Sequence, residues 1–179
     1  MNGNMSKTLI ILAHPKIENS IGNKIISTIL LEQENIEIRH LDKLYPDFKI
    51  DIKAEQEALL AANTIVFQYP LFWYSTPALL KEWIDQVFQY GFAFGKDSYH
   101  LEGKRIIVSF TMGSPKSDYP KEILDKIVFP FQGLAKYCKI EYLGEIYSND
   151  IHEYYEGAKE NAIQISNKHS QKLLALIKN

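Results

Sequence analysis

The stretch Gln68–Trp83, QYPLFWYSTPALLKEW, closes one periodicity and opens another. Thr64–Tyr69 is a continuous apolar run of strand length, whereas Thr76–Tyr90 carries its apolar residues at helical spacing, with Pro77 in a first turn where its missing N–H is harmless. Between the two, the chain stays apolar where it should meet water: Leu71, Phe72, Trp73 and Tyr74 follow one another. A short turn cannot point four large side chains inward, so the stretch reads as a strand-to-helix junction whose turn receives a flat, partly apolar ligand. For any one of these aromatics taken singly, core filling between sheet and helix is the competing reading.

Working outward, the alternation repeats. Lys7–Ala13, Asn35–Leu41, Lys104–Thr111 and Lys139–Tyr147 read as further strands, the second of them at or near a sheet edge. Ser20–Glu32 reads as a helix with Ile21, Ile25, Ile29 and Leu30 on one face; Pro120–Lys136 and Glu153–Lys178 read likewise as helices. After a connecting loop over Leu44–Ile52, Asp51 caps a short helix that carries Leu59 and Leu60. Five strands alternating with five helices predict an α/β fold with a parallel sheet covered on both faces. Ligands of such sheets bind beyond the carboxyl ends of the strands. Attention therefore falls on three loops, residues 14–23, 70–75 and 111–119.

Bulk properties narrow the classes. At 179 residues and 46% hydrophobic content the chain suits one domain, 1–179, with residues 1–6 as a loose N-terminus. Twenty basic and 22 acidic side chains leave a net charge of −2 with no basic stripe, which argues against nucleic acid and anionic membrane as partners. The single Cys138 has no disulfide partner, so a reducing, cytoplasmic setting is expected. His14-Pro15 ends the first apolar run too early for a signal peptide, and no segment reaches the roughly 18 to 20 apolar residues of a membrane span. The histidines and the cysteine show no metal-ligand spacing, so no metal is expected.

Each loop carries a chemical reading beside a structural one. In the first, Ser20 and Asn23 stand where a helix opens; they either help its free N–H groups to hold a phosphate or simply cap it. His14, at the end of the first strand, is a ligand contact or a structural hydrogen-bonder. In the third, Thr111, Gly113 and Ser114 offer a close backbone approach and N–H groups for a negatively charged ring edge, or form an ordinary turn; Tyr119 is placed to donate a hydrogen bond or a proton. There is no GxGxxG and no GxxxxGK[ST], which removes the best signal for a dinucleotide fold or a P-loop. Gly91–Gly95, GFAFG, reads as a pocket wall near the second loop or as a helix stop.

With AHP at 13–15, Ser20 and Asn23, LYPDFKIDI and EQEAL within 44–59, FQYPLFWYSTPALLKEWIDQVF at 67–88 and GFAFG at 91–95, the chain resembles the flavodoxin-like NAD(P)H:quinone oxidoreductases. The likeness is nearest to the small bacterial branch that includes ancillary flavoproteins of glutathione-gated potassium-efflux systems. The resemblance implies a flavodoxin-like three-layer sandwich of strand order 2-1-3-4-5. It also implies a homodimer, and two-electron transfer by a ping-pong mechanism from NAD(P)H through a flavin to a quinone-like acceptor. Carried over by position, His14, Ser20, Ile21, Gly22 and Asn23 hold the flavin phosphate and ribityl end. Pro70, Leu71, Phe72, Trp73 and Tyr74 hold the ring on one edge and Thr111, Met112, Gly113 and Ser114 on the other, with Tyr119 as the catalytic side chain. FMN is favoured over FAD because the short connection between strands two and three adds no adenine-binding surface; FAD stays possible. TMGS at 111–114 departs from the glycine run of many relatives, and PKEILDKIVF lacks the histidine that larger relatives pair with the tyrosine. The competing functions are a regulatory flavoprotein subunit docked on a membrane transporter and a flavodoxin-type one-electron carrier.

Overall fold

Segments of strand length form five parallel strands: β1 (Thr8–Leu12), β2 (Ile36–His40), β3 (Thr64–Pro70), β4 (Arg105–Thr111) and β5 (Glu141–Ser148). They lie in the order β2-β1-β3-β4-β5, as the resemblance implies. The computed structural model describes residues 7–96 and 98–179; the loose segment expected over residues 1–6 lies outside them.

Side chains alternate across the strands, so each strand feeds two cores. Leu9, Ile11, Ile65, Phe67, Tyr69, Ile106, Val108 and Phe110 pack on one face. That face is covered by α2 (Leu41–Leu44), α3 (Ile52–Ala61), α4 (Ala78–Val87) and α5 (Lys121–Tyr137), whose Trp83 and Phe131 meet Phe67. Ile10, Leu12, Val66 and Ile107 pack on the other, against Ile26 and Leu30 of α1 (Gly22–Leu31) and Leu173 and Ile177 of α6 (Ala158–Lys178). This second face turns polar toward the carboxyl end of the sheet, where Gln68, Ser109 and Thr111 continue the line of Val66 and Ile107.

Several element boundaries differ from expectation. The expected edge strand stops at His40, and Leu41–Leu44 forms a four-residue helix too short to leave a periodic signature. On α1 the buried stripe is Asn23, Ile26, Ser27 and Leu30, whereas Ile21, Ile25 and Ile29 are only half-buried. Burying two polar residues rotates the stripe by one position. The helix after the second loop is Ala78–Val87, shorter at both ends than Thr76–Tyr90. The last helix begins at Ala158 and not at Glu153, because Gly157 takes a left-handed conformation at φ 79° and the preceding residues form a loop. Asp51 caps α3 as expected, accepting the Ala54 N–H at 3.1 Å.

One ion pair ties the sheet edge to its helical cover. Glu55 of α3 is fully buried and receives Arg39 of β2 through Nε at 2.8 and 2.9 Å, while the Tyr45 hydroxyl also donates to it. The carboxylate holds the Arg39 guanidinium charged beyond its ordinary range. Removing one partner strands the other charge in the interior. Arg39→Met is therefore expected to cost about 3–5 kcal/mol in urea unfolding, and the double variant Arg39→Met/Glu55→Gln to recover part of it; equal losses for single and double variants would contradict this account.

Candidate functional site

The carboxyl ends of β1, β3 and β4 release the three expected loops side by side. His14, Ser20, Ile21, Asn23, Pro70, Leu71, Phe72, Thr111, Met112 and Gly113 all line one cavity of about 330 Å³. Trp73, Tyr74, Ser114 and Tyr119 do not reach it; they line an adjoining cleft of about 550 Å³. The two spaces meet at Leu71, Gly113, His152 and Tyr154. Gly22 lines neither, and its place is steric: a Cβ there would lie 2.7 Å from Ile151 Cγ2. GFAFG is also absent from both walls, because Phe92 and Ala93 are buried and Phe94 packs on Tyr90 and Tyr137.

The cavity's polar end is built by α1. Among the described residues, the N–H groups of Ile21 and Gly22 donate to no protein acceptor, as expected of a helix N-terminus, and Lys16 stands in the same wall. Ser20 is a cap in the structural sense, its Oγ accepting the Asn23 N–H at 3.1 Å. His14 is held by its own backbone: its N–H donates to Asp42 Oδ2 at 2.7 Å, and its Nδ1 accepts the Lys16 N–H at 3.1 Å. Burial lowers the His14 pKa, against the opposing pull of Asp42, so the ring is neutral at pH 7 and the positive charge of this wall comes from Lys16. Across the cavity, the Gly113 and Ser114 N–H groups are likewise uncommitted among the described residues. Two free pairs of N–H groups and a lysine make a donor set suited to an anion at one end and to carbonyl oxygens beyond it.

The aromatic turn is strained. Phe72 and Ser75 exchange backbone hydrogen bonds at 2.9 and 3.0 Å, which leaves Trp73 and Tyr74 as the two central residues of a tight hairpin turn. Both have positive φ, 48° and 63°, where Asn-Gly is the favoured pair. Left-handed backbone costs a non-glycine residue roughly 1–2 kcal/mol. Trp73 gains little in return, since it is 94% exposed, while Tyr74 lies 5.8 Å from the Tyr119 ring across the cleft. Strain held at an exposed aromatic pair shows that this turn is surface and not core filling.

A fourth wall went unread in the sequence. Residues 149–157, between β5 and α6, bring His152 and Tyr154 over both spaces and Tyr155 over the cleft, with the His152 ring stacked on Tyr154 at 5.0 Å. The signal was available, because NDIHEYYEG also follows a strand's carboxyl end.

Beneath the floor runs a buried polar chain. Gln68 Nε2 donates to Asn23 Oδ1 at 2.6 Å, and Asn23 Nδ2 donates to Thr111 Oγ1 at 2.8 Å. On its other side Gln68 Oε1 accepts the Ser109 hydroxyl at 2.5 Å, and Ser109 Oγ lies 2.7 Å from His169 Nε2. His169 Nδ1 is 2.9 Å from Ser148 Oγ. Burial, with Lys172 nearby, pushes the His169 pKa down to about 4.

Residues 6–174 match the family described by its flavodoxin-like fold, and the chain belongs to that family. It is 43% identical over 138 residues to the glutathione-regulated potassium-efflux system ancillary protein KefF of Enterobacter sp. (strain 638), covering 75% of this chain and 78% of that one. Over 142 residues it is 38% identical to the uncharacterized NAD(P)H oxidoreductase YrkL of Bacillus subtilis (strain 168), covering 76% and 82%. Among solved structures it is similar to general stress protein 14 of Treponema denticola in complex with FMN, at 32% identity and a TM-score of 0.85, covering 95% and 99%.

Replacing Trp73-Tyr74 by Asn-Gly relieves the strained turn, so thermal unfolding is expected to show a gain of about 1–3 kcal/mol; a loss would mean that the aromatics are structural. The His169 shift has a defined sign: the fold favours the neutral ring, so its contribution is complete above 6.5 and is lost as pH falls toward about 4. Wild type is expected to lose roughly 3 kcal/mol more than His169→Gln between pH 7 and 4, and parallel pH curves would refute the assignment.

Proposed function

We propose that the chain binds FMN along the joined cavity and cleft and serves as a two-electron oxidoreductase between NAD(P)H and a quinone-like acceptor. The observation that carries this reading is the continuity of an anion-suited helix terminus with a flat aromatic cleft, joined at Leu71 and Gly113. A phosphorylated molecule with a planar ring matches both ends at once. The FMN complex of the Treponema denticola relative and the oxidoreductase name of the Bacillus subtilis one support the same choice.

When bound, FMN supplies the hydride chemistry. Lys16 and the N–H groups of Ile21 and Gly22 hold the phosphate, while His14, Ser20 and Asn23 flank the ribityl chain. Pro70, Leu71 and Phe72 support one ring edge; the Gly113 and Ser114 N–H groups meet the other beside Met112. Trp73, Tyr74 and Tyr119 line the cleft that nicotinamide and acceptor occupy in turn, which gives a ping-pong order, and Tyr119 donates a hydrogen bond or proton there. The chain works in the cytoplasm as a homodimer, the second copy covering part of the aromatic surface that Trp73, Tyr90, Phe129 and Tyr137 expose; light scattering checks the mass. The likeness to a potassium-efflux ancillary protein supports a second reading, in which the flavoprotein also docks on a membrane transporter. No helix among the described residues is long and apolar enough to cross a membrane.

Purified protein loaded with FMN is expected to lose its flavin absorbance on anaerobic NADPH or NADH and to regain it on a quinone. Gly113→Ala is the matched control: its Cβ meets only Ile151 O at 3.7 Å, so folding is kept while FMN affinity falls. Absence of flavin binding, or binding without reduction by either nucleotide, would overturn the reading.

A further inference from the structure

A neutral imidazole has one N–H donor and one lone-pair acceptor, and a side-chain amide has distinct donor and acceptor ends. In a closed file of such groups, each link dictates the next. The file Ser148–His169–Ser109–Gln68–Asn23–Thr111 is of this kind, with every link between 2.5 and 2.9 Å. Gln68, Ser109, Asn23 and His169 are all buried, so no water exchanges into the file to reset its direction.

A hydroxyl can accept twice, but the buried Ser109 proton has no acceptor besides Gln68 and His169 among the described residues, so only two arrangements satisfy all five links and that proton as well. With the proton on His169 Nε2, the ring donates to Ser109, Ser109 to Gln68, Gln68 to Asn23 and Asn23 to Thr111. Thr111 then accepts from inside, which leaves its hydroxyl proton free for an acceptor in the cavity that Thr111 lines. With the proton on Nδ1, both amides turn over, Thr111 donates inward, and only its lone pairs face the cavity. The amide orientations of Gln68 and Asn23 are those of the first arrangement.

We propose that His169, remote from the cavity, is a positioning residue for the site: its Nε2–H tautomer orients Gln68 and Asn23 and makes Thr111 a hydrogen-bond donor toward bound ligand. The ligand group it selects is an oxygen acceptor, a carbonyl or an alkoxyl, and not another donor. The inference rests on the FMN reading for the ligand's identity, but not for the direction of the file.

Two measurements test it. Imidazole ¹⁵N spectra of the wild-type protein at pH 7.5, with His169 assigned by the signal missing from His169→Gln, are expected to show a protonated Nε2 and an unprotonated Nδ1. A protonated Nδ1, or two tautomers in fast exchange, would overturn the proposal. FMN affinity of the apoprotein, read by quenching of flavin fluorescence, then tests the connection. Thr111→Val and His169→Leu are each expected to weaken binding about 5- to 10-fold, the worth of one hydrogen bond, and the double variant no more than Thr111→Val alone. Additive losses would sink the idea that His169 acts through Thr111. Should His169→Leu not fold, the spectra of the wild type decide. Should wild type bind no FMN, the functional reading fails while the tautomer result still stands or falls by itself.

Discussion

Gln68 and Ser109 sit on adjacent central strands with no exposed surface, in positions that a parallel sheet normally fills with Val or Ile. Left unpaired, each would cost about 1–3 kcal/mol. Their partners come from outside the sheet, Asn23 at the opening of α1 and His169 within α6, so satisfying two hydrogen-bonding side chains fixes where both helices dock. Asn23 stands in the first turn of α1, and pinning it to Gln68 places that helix N-terminus, with Ile21 and Asn23 in the cavity wall, against the sheet. Fold and site thus share one set of bonds.

The two ends of the site follow opposite physical logic. Around α1 the arrangement is relaxed: the cap at Ser20, the polar floor and the uncommitted N–H groups agree with what the helix does anyway. The turn at Trp73 and Tyr74 works against the backbone, holding two aromatic residues in left-handed conformation with little burial to offset it. Rigid anion recognition beside a strained, exposed aromatic surface suits a ligand anchored by its charge and used through its ring.

Much of this was legible along the chain. The alternation of strands and helices and the three loops follow from apolar runs, helical spacing and the rule that ligands gather beyond strand carboxyl ends, whereas the strand order and several of the cavity residues come from the family resemblance. The misses have identifiable causes. Hydrophobic spacing placed the α1 stripe on Ile21, Ile25 and Ile29, because a pattern that counts only apolar residues overlooks Asn23 and Ser27, which the tertiary contacts bury. The β5–α6 loop was absorbed into a helix, since Glu153 onward has helical composition and only Gly157 marks the true start. Trp73 and Tyr74 were expected beside Leu71 and Phe72, but the tight turn throws them into the adjoining cleft.

By itself the sequence determined the alternation of strands and helices, the sheet it implies, and which loops are rich in aromatic or small polar residues, because these are local properties of composition and period. Tertiary structure alone decided that Gln68, Ser109 and His169 join Asn23 and Thr111 in one file, and that His152 and Tyr154 close the site. Those partners lie 60 residues apart in the case of Ser109 and His169, and 88 in that of Asn23 and Thr111. A hydrogen bond depends on distance and direction in space, and no periodicity along the chain encodes either.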